Sequence, residues 1–344
     1  MTSKAPQKKT LLPFAAFLFN VKQLAETFNI SRTIIYQFEK DGVIEGVTVP
    51  SGVTEKKVFG WDDVARLGSR LRHRQPTPTS GKIKVFANMK GGVGKSTIAA
   101  QFAMRAACCG FKTLLVDLDA QAHATHILGV SEAERESAPT IQDAITGDEP
   151  LPIQALIRPI TPLLSIIPAN LNLSSLDMEM FPLPKREERV GRLLRSIRDE
   201  WDFIVVDTAP NASLVTINAI LAADEICTVA STEFLAVAGL QKLFRIMRDL
   251  EEQFEHSPAV RIIPNLFDVR EGHAQEALGV LRQKYGEFLT TTVVRRNVDL
   301  KDASKRSHAV WLYNRSSTGA EDVACLTHEL IGGEPATRSS EVAA

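Results

Sequence analysis

Short, almost unbroken apolar runs recur from residue 83 onward and alternate with longer stretches of helical periodicity. A strand with one solvent face alternates apolar and polar residues, whereas a strand covered on both faces is apolar at successive positions. These runs therefore predict an α/β domain with a doubly wound, mostly parallel sheet. The predicted strands are IKVFAN (83–88), TLLVDLD (113–119), LLSIIPA (163–169), FIVVDTA (203–209), EICTVAS (225–231), AVRIIPNLF (259–267) and LTTTVVR (289–295).

The first part of the chain has a different pattern, with two short helical segments separated by a turn. The segment VKQLAETF follows Asn20, and Ser31, a favourable N-cap residue, ends the turn before a second helix predicted over 32–40. Gly42 ends this helix, residues 47–58 are compatible with a hairpin wing, and a third helical stretch, VFGWDDVARLGSRLR, follows. This order favours a winged helix-turn-helix over a plain helical oligomerisation module.

The second helix of such a unit enters the major groove of DNA with its first turns leading. We therefore predict that Arg32, Thr33 and Tyr36 contact DNA, with core packing as the alternative for Tyr36. Phe38 is predicted to be a core residue.

Three segments flank these regions. Residues 73–82, HRQPTPTSGK, have the composition of a linker, and the tail from Gly332 lacks apolar periodicity and is predicted to be disordered. The apolar run over 11–19 follows two lysines but is too short to span a bilayer and precedes no cleavage site, so we expect a buried or dimer-forming segment. The predicted domains are an N-terminal segment (1–19), a winged helix-turn-helix (20–75), a linker (76–82), an α/β domain (83–331) and a tail (332–344).

Composition adds a charge asymmetry to this picture. The 344 residues are 44% apolar and 24% charged, as in ordinary globular proteins, with a net charge of −1. Residues 1–84 carry 14 Lys/Arg against 7 Asp/Glu, and the remainder carries 26 against 34. A basic first region suggests a polyanionic partner, although a solvated basic face would have the same charge. The four cysteines, two of them adjacent, lack the spacing of a zinc site.

The segment NMKGGVGKSTIAA (88–100) joins the first predicted α/β strand to a helix. Glycines allow backbone N–H groups to surround phosphate oxygens, and the helix N-terminus adds a partial positive charge. We predict that Lys95 reaches the β and γ phosphates of ATP and that the Ser96 hydroxyl binds Mg²⁺. Met89 replaces the usual first glycine, and a second lysine, Lys90, follows it. The predicted nucleotide-binding residues are Lys90, Gly91, Gly92, Val93, Gly94, Lys95, Ser96 and Thr97.

The loop KGGVGKST resembles the deviant Walker A motif of the ParA/MinD ATPases. LLVDLDAQAHAT (114–125) resembles the second carboxylate motif of that family, FIVVDTAP (203–210) its Walker B segment, and TTVVRRNVDLKDAS (291–304) a segment shared by ParA proteins. The resemblance covers about residues 83–331. It implies a P-loop ATPase that hydrolyses ATP with Mg²⁺.

The resemblance also implies roles for individual residues. ParA-like ATPases bind ATP between two subunits, so Lys90 is expected to reach the nucleotide of the partner in a homodimer and to act in catalysis. Asp119 matches the aspartate that positions the attacking water, Asp207 matches the Walker B residue that holds Mg²⁺ through water, and Asp117 is expected near the metal. Ala120 and His123 depart from the family pattern and leave the hydrolysis rate open.

Nonspecific DNA binding is a further property implied by the resemblance. Arg296 matches the arginine of the shared RRN segment, and the surrounding basic residues are Arg295, Lys301, Lys305 and Arg306. Individual lysines here could equally belong to a solvated helix face. DNA contacts of this kind are expected to weaken steeply with salt.

NVKQLAETFNISRTIIYQFEKDGVI is similar to the MerR-like winged helix, which implies binding to operator DNA. The expected partners are therefore a second copy, nonspecific and operator DNA, and a ParB-like centromere-binding protein. The expected location is the bacterial cytoplasm, in association with the nucleoid. We expect no binding to a membrane, because the tail is small and polar and does not have the composition of a basic amphipathic helix. The leading hypothesis is a plasmid or chromosome partition ATPase. The alternatives are a nucleotide-responsive transcriptional repressor and a positioning ATPase for a protein cargo.

Overall fold

The computed structural model describes residues 14–51, 54–72, 81–146, 149–231 and 236–332. The predicted linker over 76–80, the tail beyond Gly332 and the start of the apolar run at 11–13 lie outside this range. No helix in the described part of the chain is long and apolar enough to cross a lipid bilayer.

The N-terminal region pairs a small antiparallel sheet, in the order β1-β3-β2, with three helices. The predicted helix over 32–40 is confirmed, and the Ser31 hydroxyl accepts a hydrogen bond from the Ile34 backbone N–H. The two strands over 47–59 pair as a hairpin, while the assignment of the region as a winged helix-turn-helix stays a prediction. Its elements are β1 (Phe19–Asn20), α1 (Val21–Thr27), α2 (Arg32–Lys40), β2 (Val47–Ser51), β3 (Thr54–Phe59) and α3 (Trp61–Leu71).

The larger region contains a sheet of seven described strands in the order β10-β9-β4-β8-β5-β7-β6. Neighbouring strands are parallel except for β6 and β7, which confirms the predicted mostly parallel sheet. The strands are β4 (Lys82–Phe86), β5 (Thr113–Asp117), β6 (Arg158–Thr161), β7 (Leu164–Ile167), β8 (Phe203–Asp207), β9 (Glu225–Ser231) and β10 (Ala259–Asn265).

Helices cover both faces of this sheet. On β8, Phe203 and Val205 join the apolar cluster on one face, whereas Ile204 and Val206 join the cluster on the other, as expected for a strand buried on both sides. The helices are α4 (Lys95–Cys108), α5 (His123–Ile127), α6 (Glu132–Ser137), α7 (Ile141–Ile145), α8 (Leu176–Met180), α9 (Arg189–Ser196), α10 (Leu214–Ala222), α11 (Ala236–Phe254), α12 (Gly272–Tyr285), α13 (Val298–Lys305), α14 (Val310–Tyr313) and α15 (Thr318–Leu330).

One predicted strand is wrong. Residues 289–295 make only isolated bridges, at Leu289 and Arg295. The Glu329 carboxylate on α15 accepts hydrogen bonds from the backbone N–H groups of Thr291 and Thr292 at 2.7 and 3.1 Å. These amides are thus satisfied by a side chain that is remote in sequence instead of by a neighbouring strand.

The N-terminal region shares a core with the α/β region. Phe14, Phe19 and Leu67 are buried in the same apolar cluster as Phe102 of α4 and Phe203 of β8. Polar contacts reinforce this packing: Arg105 of α4 donates to the Thr27 carbonyl at 2.8 Å, and ion pairs join Arg72 to Asp202 and Arg315 to Glu26. The two regions therefore form one packed body.

Two glycines allow the closest approach between the regions. Gly68 of α3 lies against Gly110, just beyond the end of α4, and a Cβ on Gly68 would lie 2.3 Å from the Gly110 Cα. Gly110 has a φ of +93°, which also favours glycine.

We expect Gly68→Ala to destabilise the protein by about 1–3 kcal/mol, because the new methyl group would meet backbone atoms that cannot rotate away. Thermal unfolding measures this change. Gly279→Ala on α12 is the matched control, since nothing lies within 4 Å of a Cβ at that exposed helical position. The control should be neutral or slightly stabilising, because alanine favours a helix by about 1 kcal/mol over glycine. Equal stability of the two variants would contradict the proposed tight contact.

Candidate nucleotide-binding site

The phosphate loop connects β4 to α4 at the carboxyl edge of the sheet, where open α/β sheets bind ligands. Gly92 and Gly94 have left-handed φ values of +77° and +88°. A Cβ on Gly94 would lie 2.4 Å from the Asn265 amide nitrogen, which donates to the Val93 carbonyl at 2.7 Å. Side chains at positions 92 and 94 would therefore disturb the loop.

Asn88 fixes the other end of this loop. Its amide donates to the Val229 carbonyl at 2.5 Å, and its side-chain oxygen accepts from the Lys90 backbone N–H at 2.8 Å. The backbone of Lys90 is thereby held in place at the edge of the cavity described below.

The two site lysines have different surroundings. Lys95, the first residue of α4, is buried, and its Nζ lies 2.5 Å from Asp207 Oδ1 at the end of β8. The other carboxylate oxygen, Asp207 Oδ2, is buried without a hydrogen-bond partner among the described residues. A buried, unpartnered carboxylate oxygen is costly, so it marks a position for a hydrated cation. Lys90 is partly exposed.

Asp117 lies beside Asp207, since the two residues are register partners on β5 and β8. Burial, and next the charge of Asp207, raise the pKa of Asp117 to about 7. Its carboxylate accepts hydrogen bonds from the Asp119 N–H and from both the N–H and the hydroxyl of Thr125, at 2.7–3.1 Å. These bonds anchor the loop after β5, so Asp117 helps to position the segment that carries Asp119.

Asp119 follows β5 and is 7% exposed. Its Oδ1 accepts a hydrogen bond from the Gln121 N–H at 3.0 Å. This contact and those of Asp117 hold the Asp119 carboxylate at the wall of the cavity that the phosphate loop also lines.

The phosphate loop, Asp119 and the segment before α13 enclose a cavity of about 900 Å³. Asn265, which ends β10, also lines it. The further lining residues that sequence reasoning missed are Gln121, His126, Ile127, Pro210, Leu266, Asn297, Val298, Leu300 and Ser304. The position of Asn265 at a strand end was the available signal.

The residues present fit ATP with Mg²⁺. In the described part of the chain no group of three or more His, Cys, Asp or Glu side chains could hold a metal ion. Mg²⁺ usually takes only one or two protein ligands and completes its shell with water and substrate phosphates. The Ser96 hydroxyl and the unpartnered oxygen of Asp207 are suitable donors of this kind.

The predicted DNA-contact residues have mixed environments. Arg32, Thr33 and Tyr36 are exposed on α2, with Tyr36 at 54% exposure, and Phe38 is partly buried against the core. Arg296, Lys301, Lys305 and Arg306 are exposed.

Arg295 requires a correction. Its guanidinium donates to buried Asp322 at 2.7–3.1 Å and to Glu321 at 2.7 Å. These acceptors raise the pKa of Arg295. Because two carboxylates already engage this guanidinium, Arg295 anchors its segment to α15 instead of contacting DNA.

Comparison with known proteins places this site in a family. A family profile described as an AAA domain matches residues 81–260. The cell division protein PomZ of Myxococcus xanthus is 31% identical over 81% of this chain and 86% of its own length. The chromosome partitioning protein ParA of the same organism is 33% identical over 74% of this chain and 89% of its own length.

A solved structure, cobyrinic acid a,c-diamide synthase from Mycobacterium smegmatis with bound ATP analogue and magnesium, shares the fold. Its TM-score is 0.60 at 23% identity, over 74% of this chain and 98% of that one. With the phosphate loop and its two lysines, these similarities identify an ATPase. The chain belongs to the ParA-type family of partition ATPases.

Proposed function

We propose that this protein segregates plasmid or chromosomal DNA as an ATP-dependent homodimer whose turnover is stimulated by DNA and a ParB-like partner. The single observation that carries the proposal is the pair of lysines in one phosphate loop. Lys95 is buried beside Asp207, whereas Lys90 is partly exposed at the edge of the cavity. A cation in that position can serve a nucleotide held by a second copy.

The mechanism follows from the positions of the side chains. Backbone N–H groups of residues 91–97 bind phosphate oxygens, and Lys95 exchanges its contact with Asp207 for a contact with the β and γ phosphates. Ser96 and Asp207 would hold Mg²⁺, which would neutralise charge on those phosphates. Asp119 orients the attacking water. Lys90 of each protomer stabilises the charge that develops on the partner's nucleotide.

DNA binding completes the cycle. Contacts to the phosphates of DNA of any sequence require only charge and reach. The exposed residues that can make them are Arg296, Lys301, Lys305 and Arg306. ATP-dependent pairing of two protomers doubles this basic surface, and hydrolysis separates the protomers and releases the DNA. The proposed location is therefore on the bacterial nucleoid.

ATP turnover measured with and without nonspecific DNA and a ParB-like DNA-binding protein tests this proposal. We expect turnover to rise most when both are present, and light scattering to detect a dimer only with ATP. ATP turnover that is unchanged by both additions would contradict a partition role.

Binding to operator DNA by the N-terminal region is a second proposed function. It is supported by the exposure of Arg32, Thr33 and Tyr36 on the first turns of α2. A protein cargo is an alternative to DNA cargo, and the similarity to the cell division protein PomZ favours testing it.

We expect Arg32→Ala to weaken binding to DNA from upstream of its own gene by about 1–3 kcal/mol, because the lost contact is specific to that sequence. Binding to random DNA in the ATP state should be unchanged. Gel-shift titration measures both, and Lys22→Ala on α1, another exposed basic position, is the control. Equal losses on both DNAs would assign Arg32 to phosphate contact alone.

A further inference from the structure

Helix α11 approaches the phosphate loop closely at Gly239. A Cβ on Gly239 would lie 3.2 Å from the Asn88 Oδ1 atom and 3.6 Å from the Lys90 Cβ atom. Glycine inside a helix is less favourable than alanine by about 1 kcal/mol. The chain therefore has a weak helix former at the point where α11 meets the backbone that carries Lys90.

A glycine in a helix does not by itself indicate a functional contact. Gly279 on α12 is also helical, and nothing lies within 4 Å of a Cβ built there. Gly239 differs from Gly279 in its neighbours. These are the lysine proposed to act between protomers and the asparagine whose Oδ1 accepts the hydrogen bond from the backbone N–H of that lysine.

Asn88 is not free to move away from a side chain at position 239. Its side chain is buried, and its amide donates to the Val229 carbonyl of β9 at 2.5 Å. Its Oδ1 accepts from the Lys90 N–H at 2.8 Å. Because Asn88 is held on both sides, a displacement of Oδ1 would be passed on to the backbone of Lys90.

Helix α11 is equally unable to retreat from the loop. Leu240, the residue after Gly239, and Leu243 are fully buried. Leu240 belongs to the same apolar cluster as Ile262 of β10, and Leu243 to the same cluster as Ile226 of β9. A methyl group at position 239 would therefore displace the phosphate loop by a few tenths of an ångström and leave α11 in place.

We propose that Gly239 is a positioning residue for Lys90. Its lack of a side chain allows α11 to lie against Asn88 and Lys90, which fixes the direction in which the lysine leaves the loop. The inference rests on the proposed function, in which Lys90 serves the nucleotide of the partner, and it adds the element that sets the position of this lysine. Accuracy matters here, because a misplacement of about 1 Å can lower a rate about 10²-fold.

Gly239→Ala tests this role, with Gly279→Ala on α12 as the matched control. We expect Gly239→Ala to lower kcat for ATP turnover stimulated by DNA and a ParB-like protein by about three- to tenfold. KM for ATP should be unchanged, because Lys95 and the loop amides bind the protomer's own nucleotide. The unfolding temperature should be unchanged or slightly higher, since alanine favours a helix. Gly279→Ala should leave kcat and KM unchanged.

A double-mutant cycle with Lys90→Ala separates positioning of the lysine from a general structural effect. If Gly239 acts through Lys90, Gly239→Ala should cause no further loss of turnover in the Lys90→Ala background. An equal loss in both backgrounds would overturn the positioning role. Normal stimulated turnover of Gly239→Ala would overturn it too, as would a raised KM together with a lower unfolding temperature.

Failure of the proposed function is recognised separately in the same cycle. If Lys90→Ala alone dimerises with ATP and keeps normal stimulated turnover, this lysine does not act between protomers. The inference about Gly239 then fails with the proposed function, and no result from the Gly239 variants is needed to see it.

Discussion

Lys90→Ala should abolish ATP-dependent dimerisation and stimulated turnover while nucleotide binding remains largely intact. The phosphates of the protomer's own nucleotide retain Lys95 and the loop amides, so affinity for nucleotide depends little on Lys90. Cations supplied in trans to a phosphoryl group accelerate its transfer by about 10³-fold or more, and we expect a loss of that order. Light scattering with a non-hydrolysable ATP analogue measures the dimer, and phosphate release measures turnover.

Lys284→Ala is the control for this experiment, because it removes an exposed lysine remote from the cavity. It should dimerise and hydrolyse ATP like the wild type. A normal ATP dimer of Lys90→Ala would show that this lysine does not act between protomers.

Asp119→Ala should have the opposite effect on assembly. Without a carboxylate to orient the attacking water, turnover should fall about 10²- to 10⁴-fold, the usual contribution of a positioned acid or base. The ATP dimer and its complex with DNA should accumulate, because binding depends on other residues. Phosphate release and DNA retention on a biosensor surface measure the two effects together.

Asp119→Asn provides a structural control, since an amide oxygen can still accept the hydrogen bond from the Gln121 N–H. If the asparagine variant is as inactive as the alanine variant, the loss of turnover reflects the missing carboxylate charge and not a disordered loop after β5. Near-normal turnover of both variants would remove Asp119 from the mechanism.

The chemistry of the site was largely predictable from the sequence because it depends on local features. The glycines and lysines of the phosphate loop are adjacent in the chain, and Asp117 and Asp207 end apolar runs that become neighbouring parallel strands. The helix over 32–40 was likewise predictable from its cap, Ser31.

Features that depend on remote contacts were not predictable. The strand expected over 289–295 is interrupted: the Thr290 and Val294 amides still donate to β10 carbonyls, whereas those of Thr291 and Thr292 donate to Glu329. Arg295 was expected to be an exposed cation, but in the structure its guanidinium pairs with buried Asp322. The edge strand β6 is short, half exposed and contains Pro159, so it has little apolar signal.

The contact between Gly68 and Gly110 limits how such a protein can be rearranged. An N-terminal region taken from another protein would pack less stably against the end of α4 if it carried a side chain at the position of Gly68. Removing residues 14–72 would instead leave the apolar flank of α4 bare, inviting aggregation. Gly68 and Gly110 therefore have to be kept as a pair whenever the two regions are recombined.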